Sequence, residues 1–139
     1  MFKTVLFPID QSRESREAAD TVANIVKTYS SRLIILSVVE SLEADENPAT
    51  AVDLEMTSPE AIAELLQTAK TLFKDMGIDA ELMERQGKPA FTICDVADEL
   101  NADLIIMGCR GLGLTDEGAA ESVTNRVINL SPCPVLIVP

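Results

Sequence analysis

Histidine is absent from this sequence of 139 residues, and so is tryptophan. Without an imidazole the chain cannot provide the base of Ser-His-Asp or Cys-His catalysis, the H-E-x-x-H zinc protease site or the usual zinc deaminase site. The three cysteines, Cys94, Cys109 and Cys133, lie far apart and lack the C-x-x-C spacing of metal and redox sites, so we interpret them as reduced thiols. These absences exclude most of the common histidine-dependent enzyme classes.

Basic residues and long apolar runs are also scarce. The chain has 11 lysines and arginines against 23 aspartates and glutamates, a net charge of −12. Because affinity for nucleic acid depends on clustered Lys and Arg, we predict no nucleic-acid partner. The longest apolar runs have the length of a strand, and the amino terminus lacks the pattern of a signal peptide. We therefore expect a cytoplasmic protein with no membrane partner.

Five short apolar segments predict β-strands. Four are rich in Val, Ile and Leu and cover residues 4–9, 32–39, 103–108 and 134–139. Their apolar character is continuous, which is typical of strands that helices cover on both faces of a parallel sheet. The fifth, residues 78–85, alternates in part and is predicted to lie nearer an edge.

Segments of helical period separate these strands. Apolar residues spaced by three and four predict helices over residues 12–29, 59–72, 88–100 and 122–130. Strand and helix alternate, so we predict one domain over residues 1–139, with an α/β doubly wound, Rossmann-like fold. The expected sheet is parallel and five-stranded, in the order 3-2-1-4-5, with helices on both faces.

The segment of residues 40–57 departs from this alternation. It contains six carboxylates and no basic residue, and we predict a flexible acidic loop.

The ends of strands 1 and 4 carry the unusual residues of the chain. In an open parallel sheet, ligands bind beyond the carboxyl ends of the strands, at the point where the winding reverses. Asp10 follows strand 1, and the glycine cluster Gly108, Gly111 and Gly113 follows strand 4. A glycine loop that precedes a helix can direct backbone N–H groups at an anion. The dinucleotide G-x-G-x-x-G pattern and the Gly-Lys-Ser of a P-loop are both missing.

Three stretches give the chain a family resemblance: KTVLFPIDQSRESREA, ADLIIMGCRGLG and SVTNRVINLSPCPVLIVP. It resembles the universal stress proteins, small α/β domains of which many bind ATP with the motif G-x2-G-x9-G-S/T after strand 4. Gly108 and Gly111 match the first two glycines and Ser122 the final hydroxyl residue. Glu121 stands where the motif has its last glycine.

The resemblance implies an adenine-nucleotide site. Asp10 would hold the ribose hydroxyls, Pro8 and Val38 would line the adenine slot, and Met107 would close it. The residues that would surround the phosphates through their backbone are Gly108, Arg110, Gly111, Gly113, Ser122, Val123 and Thr124. Two alternatives stay open, since Asp10 could instead cap the following helix, and Val38 and Met107 could be ordinary core residues.

Glu121, together with Asp116 and Glu117, bears on which nucleotide binds. Two like charges about 4 Å apart repel by about 4 kcal/mol at an effective dielectric constant near 20, which disfavours a γ-phosphate beside a carboxylate. Beyond residue 88 the only basic side chains are Arg110 and Arg126, against seven carboxylates. We therefore predict that AMP or ADP binds better than ATP. Bridging Mg²⁺ or Mn²⁺ is the alternative way to accommodate a triphosphate.

Three functional hypotheses follow. The favoured one is a regulatory stress-response protein that binds an adenine nucleotide and performs little chemistry, with no catalytic residue assigned. The alternatives are a slow metal-dependent ATP hydrolase or nucleotidyl enzyme, and a ligand-free dimeric interaction module. In each case the closing apolar strand is predicted to lie at a sheet edge and to form a homodimer.

Overall fold

A parallel five-stranded sheet forms the centre of the molecule. The computed structural model describes residues 2–9, 13–40, 59–108 and 123–139. The strand order is β3-β2-β1-β4-β5, with the strands β1 (Thr4–Ile9), β2 (Arg32–Glu40), β3 (Glu81–Gly87), β4 (Leu104–Gly108) and β5 (Val135–Val138). The predicted fold class and strand order are therefore confirmed.

Helices cover both faces of this sheet. They are α1 (Arg13–Tyr29), α2 (Pro59–Asp75), α3 (Pro89–Glu99) and α4 (Val123–Leu130). Helices α1 and α2 share one apolar cluster with the sheet, whereas α3 and α4 share a second cluster on the opposite face. The reversal of winding thus falls between β1 and β4, as the sequence predicts.

The continuous apolar runs are explained by burial on both faces. In β1, Val5 and Phe7 join the α1–α2 cluster, while Leu6 joins the α3–α4 cluster. Each of these side chains is at most 1% exposed, and burying a side chain of this kind contributes about 1.5–3 kcal/mol. A polar residue at such a position would lose this contribution, which is why the run shows no alternation.

Strand β5 departs from that rule. All four of its residues are only half-buried, although both clusters reach it, through Leu136 on one face and Ile137 on the other. The prediction of full burial on both faces is therefore wrong for this strand. The reason is its place at the sheet edge, where no neighbouring strand or helix covers the outer side among the described residues.

Strand β3 begins later than the sequence predicts. Ile78 and Ala80 are buried but precede the strand, because the chain first leaves α2 through a tight turn. Gly77, with φ of +84°, lies in that turn, and the Ile78 amide donates to the Phe73 carbonyl at 2.8 Å. This is a glycine-terminated helix end. The ladder of β3 with β2 then starts at the pair Ile34 and Glu81.

None of the described helices combines the length and the apolar composition needed to cross a membrane.

Candidate functional site

The candidate site lies where the carboxyl ends of β1 and β4 meet. The two strands are neighbours and run parallel, so Ile9 and Gly108 end at the same edge of the sheet. Helix α1 follows β1 on one face, whereas α4 follows β4 on the other. Chains that diverge in this way leave a crevice at the reversal point of an open sheet.

The pairing between β1 and β4 is short. Among the described residues the ladder consists of two pairs, Val5 with Leu104 and Leu6 with Ile105. By contrast, β1 and β2 form six consecutive pairs that end at Ile9 and Ser37. The last three residues of β1 and of β4 therefore extend beyond their mutual ladder.

Pro8 explains where this ladder stops. The Thr4 carbonyl accepts a hydrogen bond from the Asp103 amide at 2.8 Å, so Thr4 directs its backbone toward β4. Backbone groups alternate between the two neighbouring strands along a central strand, so Leu6 and Pro8 also face β4. Proline has no N–H to donate. The carboxyl ends of β1 and β4 therefore lack the hydrogen bond that a backbone N–H at position 8 would have donated to β4.

Three predicted residues of the base slot share one face of the sheet. Met107 is 7% exposed and belongs to the α3–α4 cluster, and Val38 packs at the margin of the same cluster. Pro8 is buried and, two residues after Leu6, points to the same face. The neighbouring strands β2, β1 and β4 thus each bring one of these side chains to the carboxyl edge. Met107 is also a core residue, as the alternative interpretation of this position predicts, and its place in a base slot stays a prediction.

The start of α4 supplies two further predicted residues. Val123 is 37% exposed and Thr124 is half-buried, and they occupy the first turn of the helix, which contains no acidic residue. Backbone N–H groups in a first helical turn lack partners within the helix and carry a partial positive charge. This end of α4 can therefore interact favourably with an anion.

The remaining predicted residues lie outside the described ranges. They are the nucleotide-site residues Asp10, Arg110, Gly111, Gly113 and Ser122. The acidic residues Asp116, Glu117 and Glu121, the thiol Cys109 and the predicted acidic loop beyond Glu40 are outside these ranges as well. Their proposed roles stay predictions.

Sequence reasoning missed the junction between β3 and α3 at the same edge. Gly87, with φ of +150°, approaches Thr92 so closely that a Cβ at Gly87 would lie 2.5 Å from the Thr92 Oγ1. Lys88, the exposed N-cap residue of α3, follows directly and adds a cation to the carboxyl edge. A Gly-x-Pro sequence just before a helix is the signal that could have indicated this close contact.

The described thiols are structural in character. Cys94 and Cys133 both contact the α3–α4 cluster. Burial raises the pKa of Cys94, and nearby Asp95 and Cys133 raise it further. Burial also raises the pKa of Cys133, although its hydrogen bond with the Ser131 hydroxyl lowers it in part. A raised thiol pKa reduces the thiolate fraction and hence the reactivity at neutral pH.

Metal-ligating side chains do not assemble in the part of the chain that the structure describes: no group of three or more His, Cys, Asp or Glu residues there could hold a metal ion.

Comparison with known proteins turns this geometry into a family assignment. The five-stranded parallel sheet, with its winding reversed between β1 and β4, defines a doubly wound α/β fold. The family model described as the universal stress protein family matches residues 1–139. The chain belongs to this family, as its three motif stretches predict.

Individual relatives agree with this assignment over the full length. Universal stress protein Sll1654 of Synechocystis sp. is 61% identical over 140 residues, covering 100% of this chain and 87% of that protein. Universal stress protein YxiE of Bacillus subtilis is 30% identical over 147 residues, covering 99% of each. Among solved structures, a universal stress protein in complex with cAMP matches with a TM-score of 0.77 and 28% identity, covering 99% of this chain and 97% of that one.

Proposed function

We propose that this protein is a regulatory adenine-nucleotide-binding protein that prefers AMP or ADP to ATP. One observation carries the proposal: Pro8, Val38 and Met107 lie on the same face, at the carboxyl ends of three neighbouring strands. Of these, Pro8 and Met107 lie beyond the last pair of the β1–β4 ladder. Ligand sites of open α/β sheets occur at this position.

The chemistry of these side chains suits a purine base. All three are apolar, and an adenine ring exposes two flat apolar faces that gain free energy when buried against such groups. Val38 and Gly108 are only half-buried, so surface remains there for a ligand to cover. The adenine nucleotide cAMP in the neighbouring solved structure, 28% identical to this chain, supports the same ligand class.

The phosphate side of the proposal depends on charge. The first turn of α4 offers N–H groups at Val123 and Thr124, which favours one or two phosphates. Three nearby carboxylates in the sequence, Asp116, Glu117 and Glu121, disfavour a third. A bound Mg²⁺ or Mn²⁺ would offset this repulsion by taking oxygen ligands from both sides.

Calorimetric titration with AMP, ADP and ATP, each with and without Mg²⁺, tests the proposed preference. We expect AMP or ADP to bind at least about tenfold more tightly than ATP without metal, equivalent to about 1.4 kcal/mol. Glu121→Gln should narrow the difference in affinity between AMP or ADP and ATP. The control Glu60→Gln, at an exposed position on α2, should leave this difference unchanged. Tighter binding of ATP without metal would contradict the preference.

A metal-dependent hydrolase is the second proposal, supported by the same three carboxylates, which could hold metal ions beside the phosphates. Phosphate release from ATP would be measured with Mg²⁺ or Mn²⁺. Turnover that disappears in the Asp116→Ala and Glu121→Ala variants would favour the enzyme over the regulator.

Homodimerisation through β5 completes the proposal. The four residues of β5 are apolar and half-buried at a sheet edge, whereas β3 at the other edge exposes the charged Glu84 and Arg85. Charged edges resist pairing and apolar edges promote it. Light scattering should show a dimer that Ile137→Lys converts to monomer and that Gln86→Lys on β3 leaves intact. A monomeric unmodified chain at micromolar concentration would contradict this proposal.

A further inference from the structure

We propose that Asp103 is a positioning residue of the nucleotide crevice: its carboxylate sets the register of β4 against β1 and thereby aligns the strand ends that form the site. The inference depends on the proposed nucleotide function for its ligand. Its structural half, the register itself, can be tested separately.

Asp103 links β1 and β4 at their amino ends, on the side of the sheet opposite the crevice. Its Oδ2 accepts hydrogen bonds from the backbone amides of Lys3 at 3.0 Å and Thr4 at 2.9 Å. Its own amide donates to the Thr4 carbonyl at 2.8 Å. One residue immediately before β4 thus makes three bonds to the start of β1. Hydrogen bonds donated to a charged acceptor are stronger than those between neutral groups.

The apolar pattern of these strands specifies their register only weakly. A slip of one residue normally exchanges a buried face for a solvated one, and this penalty fixes the register of most strands. In β1 and β4 both faces are buried and apolar, with Val5, Leu6, Ile105 and Ile106 all fully buried. A slipped arrangement would therefore bury apolar groups about as well as the native one.

The ladder itself adds little register information, since it contains two pairs among the described residues and Pro8 cannot extend it. The polar contacts of Asp103 are specific to one alignment, because the carboxylate reaches the Lys3 and Thr4 amides only in that alignment. Polar groups that select one arrangement at little gain in stability are known from other folds.

The register matters directly at the crevice. Each residue of slip moves a strand by about 3.3 Å along its neighbour and turns its side chains to the opposite face. Such a shift would separate Met107 from Pro8, the two sides of the base slot. Asp103 would therefore act on the site from the far end of the strands, through the rigid sheet between them.

The experiment compares Asp103→Ala and Asp103→Asn with the control Ser31→Ala. Ser31 makes the matching contact on the other side of β1, donating its hydroxyl to the Phe2 carbonyl, and does not involve β4. Two quantities are measured: the affinity for AMP by calorimetry and the cross-strand NOEs between Val5 and Leu104 by NMR.

We expect Asp103→Ala to weaken AMP binding by at least about tenfold, the range typical of coupled positions, and to lose or shift these NOEs. Asp103→Asn keeps an oxygen acceptor and should retain affinity within about threefold, as should Ser31→Ala. If Asp103→Ala does not fold, Asp103→Glu, whose carboxylate is displaced by one methylene, replaces it under the same criteria.

Native NOEs together with unchanged AMP affinity in Asp103→Ala would overturn the inference. An equal loss of affinity in Ser31→Ala would also overturn it, since the effect would then reflect general destabilisation. If the unmodified protein binds no AMP, the proposed function fails, and the NOEs alone decide whether Asp103 sets the register.

Discussion

Replacing Gly87 by alanine tests the close contact between β3 and α3 at the carboxyl edge of the sheet. The added Cβ would lie 2.5 Å from the Thr92 Oγ1, at a φ of +150° that side chains rarely adopt. Backbone strain of this kind costs about 1–3 kcal/mol. Thr92 can withdraw only by changing its rotamer or shifting its helix, which adds about 0.5–1.5 kcal/mol. We expect a total loss of about 1.5–4.5 kcal/mol in the free energy of unfolding, measured by urea denaturation.

Two further variants separate strain from collision. Gly77→Ala serves as the control, because Gly77 also has a positive φ, +84°, but nothing lies within 4 Å of its added Cβ. It should lose only the strain contribution, about 1–2 kcal/mol. Thr92→Ala removes the colliding oxygen and leaves the Thr92 Cβ position, 3.9 Å away, so it should reduce the cost of Gly87→Ala but not that of Gly77→Ala. An unchanged cost of Gly87→Ala in the Thr92→Ala background would refute the reasoning.

Three other predictions concern the core, a helix end and an ion pair. Met107→Ala should lower the free energy of unfolding by about 2–5 kcal/mol in urea denaturation, since it removes a side chain that is 7% exposed, and should weaken AMP binding in calorimetry. Ser30→Gly should raise the melting temperature through a gain of about 0.5–1 kcal/mol, because Ser30 has a φ of +52° at the end of α1; no gain would contradict this. The hydrogen bond and ion pair with Arg32 lower the pKa of Glu81. The stabilisation from this pair is therefore present above the pKa of the unfolded state and is lost as pH falls through the pKa of the folded state. Glu81→Gln should flatten this loss of stability on the acid side, measured by urea denaturation, and an unaltered pH profile would contradict the prediction.

The central elements of the fold follow from the sequence because their pattern is local and strong. The apolar stripe of α1, with Ala18, Val22 and Val26 spaced by four, is buried as predicted. The end of α2 next to Gly77 has an equally local cause, because a glycine at a helix end satisfies the last carbonyls through a conformation that other residues avoid. Such signals need no knowledge of distant parts of the chain.

The late start of β3 and the half-burial of β5 depend on long-range contacts instead. The start of β3 is set by its pairing with Ile34 of β2, which no pattern within residues 78–85 reveals. The half-burial of β5 follows from its place at the edge. A continuous apolar run looks the same in a sequence whether the strand lies at the edge of the sheet or inside it, so the pattern alone does not reveal the position.

The sequence predicted which strand ends would meet at the candidate site, but not how those strands pair. Strand order and the reversal rule predicted the ends of strands 1 and 4 as the site, and the family resemblance assigned Pro8, Val38 and Met107 to it. The structure brings these three side chains to one face of the sheet. The early end of the β1–β4 ladder and the contacts of Asp103 with Lys3 and Thr4 emerge only from the paired strands. Hydrogen bonds between residues about a hundred positions apart leave no local signal in a sequence.

Titration of the isotopically labelled protein with AMP, followed by two-dimensional NMR of the backbone amides, tests the central claim most directly. We predict that the largest shift changes fall on the carboxyl edge, at Val38, Met107, Gly108 and Thr124. Amides at the opposite edge, such as that of Ser31, should stay unchanged. No shift at saturating AMP, or shifts confined to other surfaces, would contradict the account.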